Sequence, residues 1–569
     1  MENTFKLVEC VPNFSEGRDL AVIKQITDAI ESVEGVKLLN VDPGAATNRT
    51  VVTFVAAPAA AQEAAFQAVK KASELIDMRK HKGAHPRMGA TDVLPFIPIS
   101  GVSLEDCAQM ARKTAERIYK ELQIPTYNYE AAANKPSRKN LADVRKGEYE
   151  ALEAKILSKE DKPDFGPSKL TEQAAKSGAT IVGARDFLIA ANFNLNTTST
   201  RLANDIAFEV REKGRAQREG GRPDGKILKD KDGNTIFKPG LLKGTKAIGW
   251  FIEEYGIAQV SMNITEIKKA PLHVVFDEVC RAAQDRGVRV TGVEIVGLIP
   301  KSAMTDAANY FLAKQKRSLG VHEEELIKIA ILSMGMGDIA PFKPEEKVIE
   351  YLLAKDDKTK KLVNMTCKAF ANETASESPA PGGGSISAYA GALGAALATM
   401  VANLSSNKAG WEDKVEHFSA HAQKGQKLMA ELLALVDEDT AAFNKIMAVF
   451  SMPKSTEAEQ AARAAALEAA TLYATQVPLK TMQASLMVFD IAKAMAAEGN
   501  PNSVSDAGVG ALMARSAVLG AWLNVKINAK DLKDRKAADK LTKEAADIAK
   551  QAQQLEQEII EIVNQKIGS

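Results

Sequence analysis

Residues 354–361 read AKDDKTKK. This charged run parts two stretches of chain with different periodicity, and the fold follows from reading outward on either side. Upstream, short apolar runs of strand type alternate with helix-type spacing. Downstream, from 362 to 569, the chain is alanine-rich and helix-periodic, with almost no strand signal. Interleaved strands and helices make an α/β architecture, and a long helix-periodic stretch makes a bundle. The sequence therefore predicts tandem α/β subdomains followed by an all-α helical bundle. The expected divisions are 1–181, 182–353, a linker at 354–361, and 362–569, with fragments 1–353 and 362–569 each soluble and each carrying one activity.

On the upstream side, KLVECVP (6–12) reads as a strand and DLAVIKQITDAIESV (19–33) as an amphipathic helix. VKLLNVD (36–42) and TVVTFVAAP (50–58) are strands again, and AAAQEAAFQAVKKASELI (59–76) is a helix. The order begins anew at TIVGARDFLIAANFNL (180–195), read as a strand pair. EGGRPDGKILKDKDGNTIFKPG (219–240), rich in Gly, Pro and charge, reads as an inserted surface hairpin.

At 569 residues the chain exceeds one hydrophobic core. Lys plus Arg is 74 against 73 Asp plus Glu, a net charge of +1, which removes the electrostatic argument for a nucleic-acid partner. Cys10, Cys107, Cys280 and Cys367 stand far apart with no CxxC pair, so neither a metal site nor a disulfide framework is expected, and a cytoplasmic location fits. The first ten residues carry no apolar export signal. Residues 378–407 lack charge and are long enough to span a bilayer, but they are rich in Ala, Gly, Ser and Thr. Glu373 and Glu377 stand where a basic anchor would be expected. They are read as a helix inside a bundle, not a membrane span.

Two of the six histidines lie in HKGAHPRMGATD (81–92), where Gly and Pro exclude a regular helix. VPNFSEGRD (11–19), with Asn13, and VDPGAATNRT (41–50) use the same polar vocabulary after strands. Each alone is an ordinary turn; together, set between elements of one subdomain, they are placed to converge. In the helical half, GGGS (382–385) opens a helix with free N–H groups. Gly383 and Gly384 could cradle a carboxylate or carbonyl, with Ser385 as N-cap. Asp439 has only Leu435, Val436, Ala442 and Phe443 three and four residues away. A carboxylate on an apolar helix face is costly and points to function, or else to a buried ion pair, for instance with Arg515.

LVECVPNFSEGRD, DPGAATNRT, HKGAHPRMGATDVLPFIP, RKGEYEAL (145–152) and PDFGPS (163–168) resemble, in order, the transferase half of the formiminotransferase-cyclodeaminase family. PAPGGGSISAYAGALGAAL (379–397) and LVDEDTAAF (435–443) resemble its cyclodeaminase half. The resemblance implies transfer of a formimino group from N-formimino-L-glutamate to N5 of tetrahydrofolate. Closure to 5,10-methenyl-tetrahydrofolate with loss of ammonia would follow, on a folate carried as a polyglutamate, in a homo-oligomeric ring of dimers. The family's catalytic histidine falls on His85, with His81 the runner-up. A neutral imidazole suits a base that must take a proton from N5. Lys82 and Arg87 would meet substrate carboxylates, and Asp164, Gly166, Pro167 and Ser168 would contact folate. Asp439 would be the acid and base of ring closure. Two rivals remain: a formyl donor paired with a methenyl-folate cyclohydrolase, and a helical scaffold with a vestigial enzyme.

Overall fold

The computed structural model describes residues 6–45, 47–83, 86–222, 224–354 and 361–568. They form two compact units, Met1–Ala307 with Met334–Asp357, and Ala308–Ser333 with Lys358–Ser569. Most of the expected linker, 355–360, lies outside the described residues.

The first unit holds two sheets. In one, Leu7–Cys10 and Asn13–Phe14 are two parts of an interrupted strand lying antiparallel between Arg49–Ala56 and Thr91–Ser100. Lys37–Gly44 pairs beyond Arg49–Ala56. Numbered by appearance in the chain, these strands run 2-3-1-4 across the sheet. In the other sheet, Thr245–Ile252, Ile257–Ile264, Ile189–Leu195 and Val290–Val296 repeat the same 2-3-1-4 order, all antiparallel. Each is a split βαβ arrangement with helices after its first and third strands: Leu20–Glu31 and Pro58–Leu75 in one, Thr200–Val210 and Leu272–Gln284 in the other. The first helix of each starts for the same reason. A polar residue just after the strand caps it, Asp19 accepting from the amides of Ala21 and Val22, and Ser199 from that of Leu202.

The α/β then all-α order is as the sequence predicts. One pairing differs. Thr180–Ala184 is not paired with the strand that follows it; it lies parallel between Thr91–Ser100 and Thr126–Glu130, the latter forming the edge of the first sheet. The first sheet thus takes in Thr180–Ala184, and the second takes its first strand at Ile189–Leu195. The segment 219–240 is largely exposed, and Arg215–Ala216 pairs antiparallel with Phe237–Lys238 at its base.

The second unit is helical. Gly383–Ser406, Val415–Phe450, Glu457–Glu498, Val504–Lys530 and Arg535–Ile567 pack around an alanine-rich core. Small side chains bring backbones close: a Cβ on Gly394 would stand 2.8 Å from the carbonyl of Gly510. Two of its helices, Gly383–Ser406 and Pro501–Lys530, are long and apolar enough to cross a membrane by length and composition. Ala308–Ser333 belongs to this unit although it precedes the linker. It is pinned there by Ser318, whose hydroxyl donates to Asn403 Oδ1 at 2.6 Å, and by Gly320, whose carbonyl accepts from Asn403 and Gln426.

Candidate active sites

The two sheets of the first unit line a cavity of about 560 Å³. Glu9, Asn13 and Arg49 face it from one sheet and Asn192, Lys246 and Trp250 from the other, with Arg145 and Arg185 at its sides. Asp92, fully buried, binds Arg49 Nη1 at 2.5 Å, Arg145 Nη2 at 2.7 Å and the amide of Met88 at 2.8 Å. Burial alone would raise its pKa, but the two guanidiniums hold the carboxyl below its ordinary value. Arg49 Nε in turn donates to Asn13 Oδ1 at 3.1 Å. One carboxylate against two guanidiniums leaves net positive charge beside the cavity, suited to an anionic substrate. Burial pushes Glu9 the other way, up to about 7, against the pull of Arg185.

The three polar loops do converge. Gly17 packs so tightly on the 41–50 loop that a Cβ there would lie 2.4 Å from the carbonyl of Gly44. Asn48 ties all three, accepting from the amide of Gly17 at 3.0 Å and donating to the carbonyl of Lys82 at 3.0 Å. Ser15 donates to the carbonyl of Gly89 at 2.8 Å. His85 lies outside the described residues. His81 is described, and both its ring nitrogens are engaged, Nε2 at 2.9 Å from the carbonyl of Asn48 and Nδ1 at 3.4 Å from Arg87 Nε. With Nε2 donating and Nδ1 accepting, this ring is neutral and has no lone pair left for a substrate proton. Burial lowers its pKa accordingly.

Of the other predicted residues in this half, Asn13 lines the cavity, whereas Lys82, Arg87, Asp164, Gly166, Pro167 and Ser168 do not. Arg87 is buried with its guanidinium on Glu148 at 3.0 Å and Glu150 at 2.7 Å, so its charge is already matched. Asp164 is held by Arg138, by the amide of Asn128 at 2.7 Å and by Asn134 at 3.2 Å, and so fixes its loop to the strand Thr126–Glu130. The cationic groups that face the cavity, Arg49, Arg145, Arg185 and Lys246, were not singled out from sequence. RKGEYEAL carried a signal, since its Arg145, Glu148 and Glu150 all form ion pairs here.

In the helical unit the glycine-led helix and the DED stretch meet. A Cβ on Gly384 would lie 2.1 Å from Asp439 Oδ1, so only glycine admits the carboxylate. Ser385 is not the N-cap, which is Gly382; it sits inside the first turn. Its hydroxyl donates to the carbonyl of Val436 at 2.8 Å and lies 3.2 Å from Asp439 Oδ2. Burial raises the pKa of Asp439, opposed by hydrogen bonds from the hydroxyl and amide of Ser385. Arg515 pairs with Glu556 at 3.3 Å and not with Asp439, against the alternative of an ion pair between them. Asp437 caps the amide of Leu362 at 2.6 Å, and Glu438 accepts from Tyr473 at 2.9 Å. Among the described residues no cation is bonded to Asp439, and a part-buried carboxylate of this kind beside a helix N-terminus can take and return a proton.

Three family models cover the chain in order. A formiminotransferase domain, N-terminal subdomain, matches residues 7–185; a formiminotransferase domain matches 190–354; and formiminotransferase-cyclodeaminase matches 366–547. The formimidoyltransferase-cyclodeaminase of Gallus gallus is 42% identical over 93% of this chain and 94% of its own length. The glutamate formimidoyltransferase of Streptococcus pyogenes is 43% identical over 54% of this chain and 93% of its own. A methenyltetrahydrofolate cyclohydrolase of Methylorubrum extorquens is 38% identical over 36% of this chain and 99% of its own. With both α/β subdomains and the helical unit matched in sequence order, the chain belongs to the formiminotransferase-cyclodeaminase family.

Proposed function

We infer that the two activities of this bifunctional enzyme divide between the two units, transfer in the α/β cavity and ring closure at Asp439. In the first step N5 of tetrahydrofolate attacks the amidine carbon of N-formimino-L-glutamate. N5 loses its proton, and the nitrogen of glutamate gains one as it leaves. His85 is our candidate for the base. What supports it is that the neighbouring ring, His81, has both nitrogens spoken for. Arg49, Arg145 and Lys246 supply the positive field for the glutamate carboxylates, with Asn13 positioned by Arg49. Lys82, Arg87 and the PDFGPS loop then act by holding the loops in place.

In the second step N10 attacks the formimino carbon, and ammonia leaves. The leaving nitrogen must gain a proton while N10 loses one. Asp439, its pKa raised, serves both transfers in turn, and the amides at Gly383–Ser406 face the charge that develops. The observation that carries this reading is the seat itself, a carboxylate pressed onto the Cα of Gly384 with Ser385 beside it. The experiment is to offer purified protein N-formimino-L-glutamate and tetrahydrofolate, and to follow ammonia and 5,10-methenyl-tetrahydrofolate together. Ammonia in step with methenyl product is expected.

The likeness to a cyclohydrolase gives the helical unit a second reading, in which the same carbon is attacked or released by water. Product without ammonia would favour that one. A polyglutamylated folate, a cytoplasmic location and a homo-oligomer complete the proposal. Four free cysteines, two of them buried, suit a reducing compartment. Ile386, Leu393, Met400 and Leu404 leave an apolar stripe exposed along Gly383–Ser406, and a second copy of the chain would cover it. Light scattering of the purified protein tests the assembly.

A further inference from the structure

Two of the remaining histidines stand four apart on Val415–Phe450. Residues four apart share a helix face, so the imidazoles of His417 and His421 point the same way, with ring centroids 5.0 Å apart. Glu498, the last residue of Glu457–Glu498, completes a group of three. His417 Nε2 lies 3.2 Å from Glu498 Oε1, and one ligand atom from each of the three residues falls within 4.8 Å of the others.

We propose that His417, His421 and Glu498 form a binding site for one divalent transition-metal ion of the zinc class. Tetrahedral zinc about 2.0–2.1 Å from each ligand sets its ligands about 3.4 Å apart. The His417–Glu498 pair already has that spacing. His417 and Glu498 are half exposed, so their side chains can turn to close the rest. Two imidazoles with one carboxylate favour zinc, nickel or copper over calcium or magnesium, which take six or more oxygens or keep their water. With His417 and Glu498 exposed, water can supply a fourth ligand. Of the nearby cations, Lys424 is matched by Asp490 at 3.0 Å.

The site is remote from ring closure. His417 and Asp439 are on one helix, and at 1.5 Å per residue they lie about 33 Å apart along its axis. The ion therefore has a structural role: it fastens the start of one long helix to the end of another. The test uses the full chain, stripped with chelator, dialysed, and titrated with Zn²⁺ against a chromophoric competitor. One equivalent per chain is expected, with a rise in melting temperature, and no competition from excess Mg²⁺. H417N and E498Q, both at exposed positions, should melt like the stripped parent. They should bind Zn²⁺ at least ~100-fold more weakly, more than the loss of a group outside the ligand set costs. Ammonia release should be the same in all. The proposal is overturned if the parent takes up no zinc, if the variants bind as the parent does, or if Mg²⁺ displaces the ion.

Discussion

Gly384→Ala places one methyl group where Asp439 now sits. Its Cβ would stand 2.1 Å from Oδ1, and ordinary contact begins at 3.4 Å, so the two must part by 3.4 less 2.1, about 1.3 Å. The helix backbone at Gly384 is fixed by its neighbours, whereas the carboxylate is the free end of a side chain, so the carboxylate moves. A displacement of that size breaks the 3.2 Å contact with Ser385. A reacting group misplaced by about 1 Å costs on the order of 10²-fold in rate. Ammonia release from preformed 5-formimino-tetrahydrofolate should fall by about that factor. Formimino transfer, assayed in the same sample, should hold. Gly382→Ala is the control, because a Cβ there meets nothing nearer than the carbonyl of Pro379 at 3.9 Å. If Gly384→Ala releases ammonia within a few-fold of the parent while its helix content is unchanged, the seat of Asp439 is not what ring closure depends on.

Asp439→Asn keeps the shape but not the proton, so ammonia release should be lost with transfer and melting temperature retained; early melting with deamination intact would make the carboxylate structural. His85→Ala should slow transfer by roughly 10²–10⁴-fold and leave ammonia release alone, and an equal fall in both would mean misfolding. Asp92→Ala strands Arg49 and Arg145 without their shared carboxylate and should cost roughly 3–5 kcal/mol in denaturant titration; a loss near zero would refute the buried pairing. Glu9 titrates at about 7 folded against 4.5 unfolded, so the folded state binds its proton more tightly. Stability then falls as pH rises from 4.5 to 7 and stays low above. Glu9→Gln should gain on the order of 3 kcal/mol at pH 8 and nothing at pH 4, and equal gains at both would show that ionisation is not the cause.

Much of this was legible in sequence because it rests on local rules. Strand and helix spacing and the alanine-rich bundle follow from neighbours a few residues away. GGGS and Asp439 could each be marked by chemistry alone, glycine for close approach and a carboxylate for an apolar face. Their meeting, across 55 residues of chain, could not. Long-range partners are what local spacing leaves out. Arg87 looks like a free cation until Glu148 and Glu150 arrive from 61 and 63 residues away. Asp164 gives no sign in sequence of the Arg138 that holds it. Thr180–Ala184 reads as half of a pair with its successor because spacing identifies a strand without naming its partner. The cationic lining of the cavity draws on both sheets, so no single stretch announced it.

The membership of Ala308–Ser333 in the helical unit changes what a break in the chain would do. A protease acting within 354–361 severs one crossing between the units, yet the 318–320 turn stays clasped by Asn403, Ser419 and Gln426. The halves of a nicked molecule should therefore co-elute under native conditions and separate only in denaturant. A gene split at the linker would likewise leave that clasp to form between two chains, turning an intramolecular fold into a complementation pair whose recovery depends on concentration. Designs that move the helical unit to a new partner keep the clasp only if they carry residues 308–333 with it.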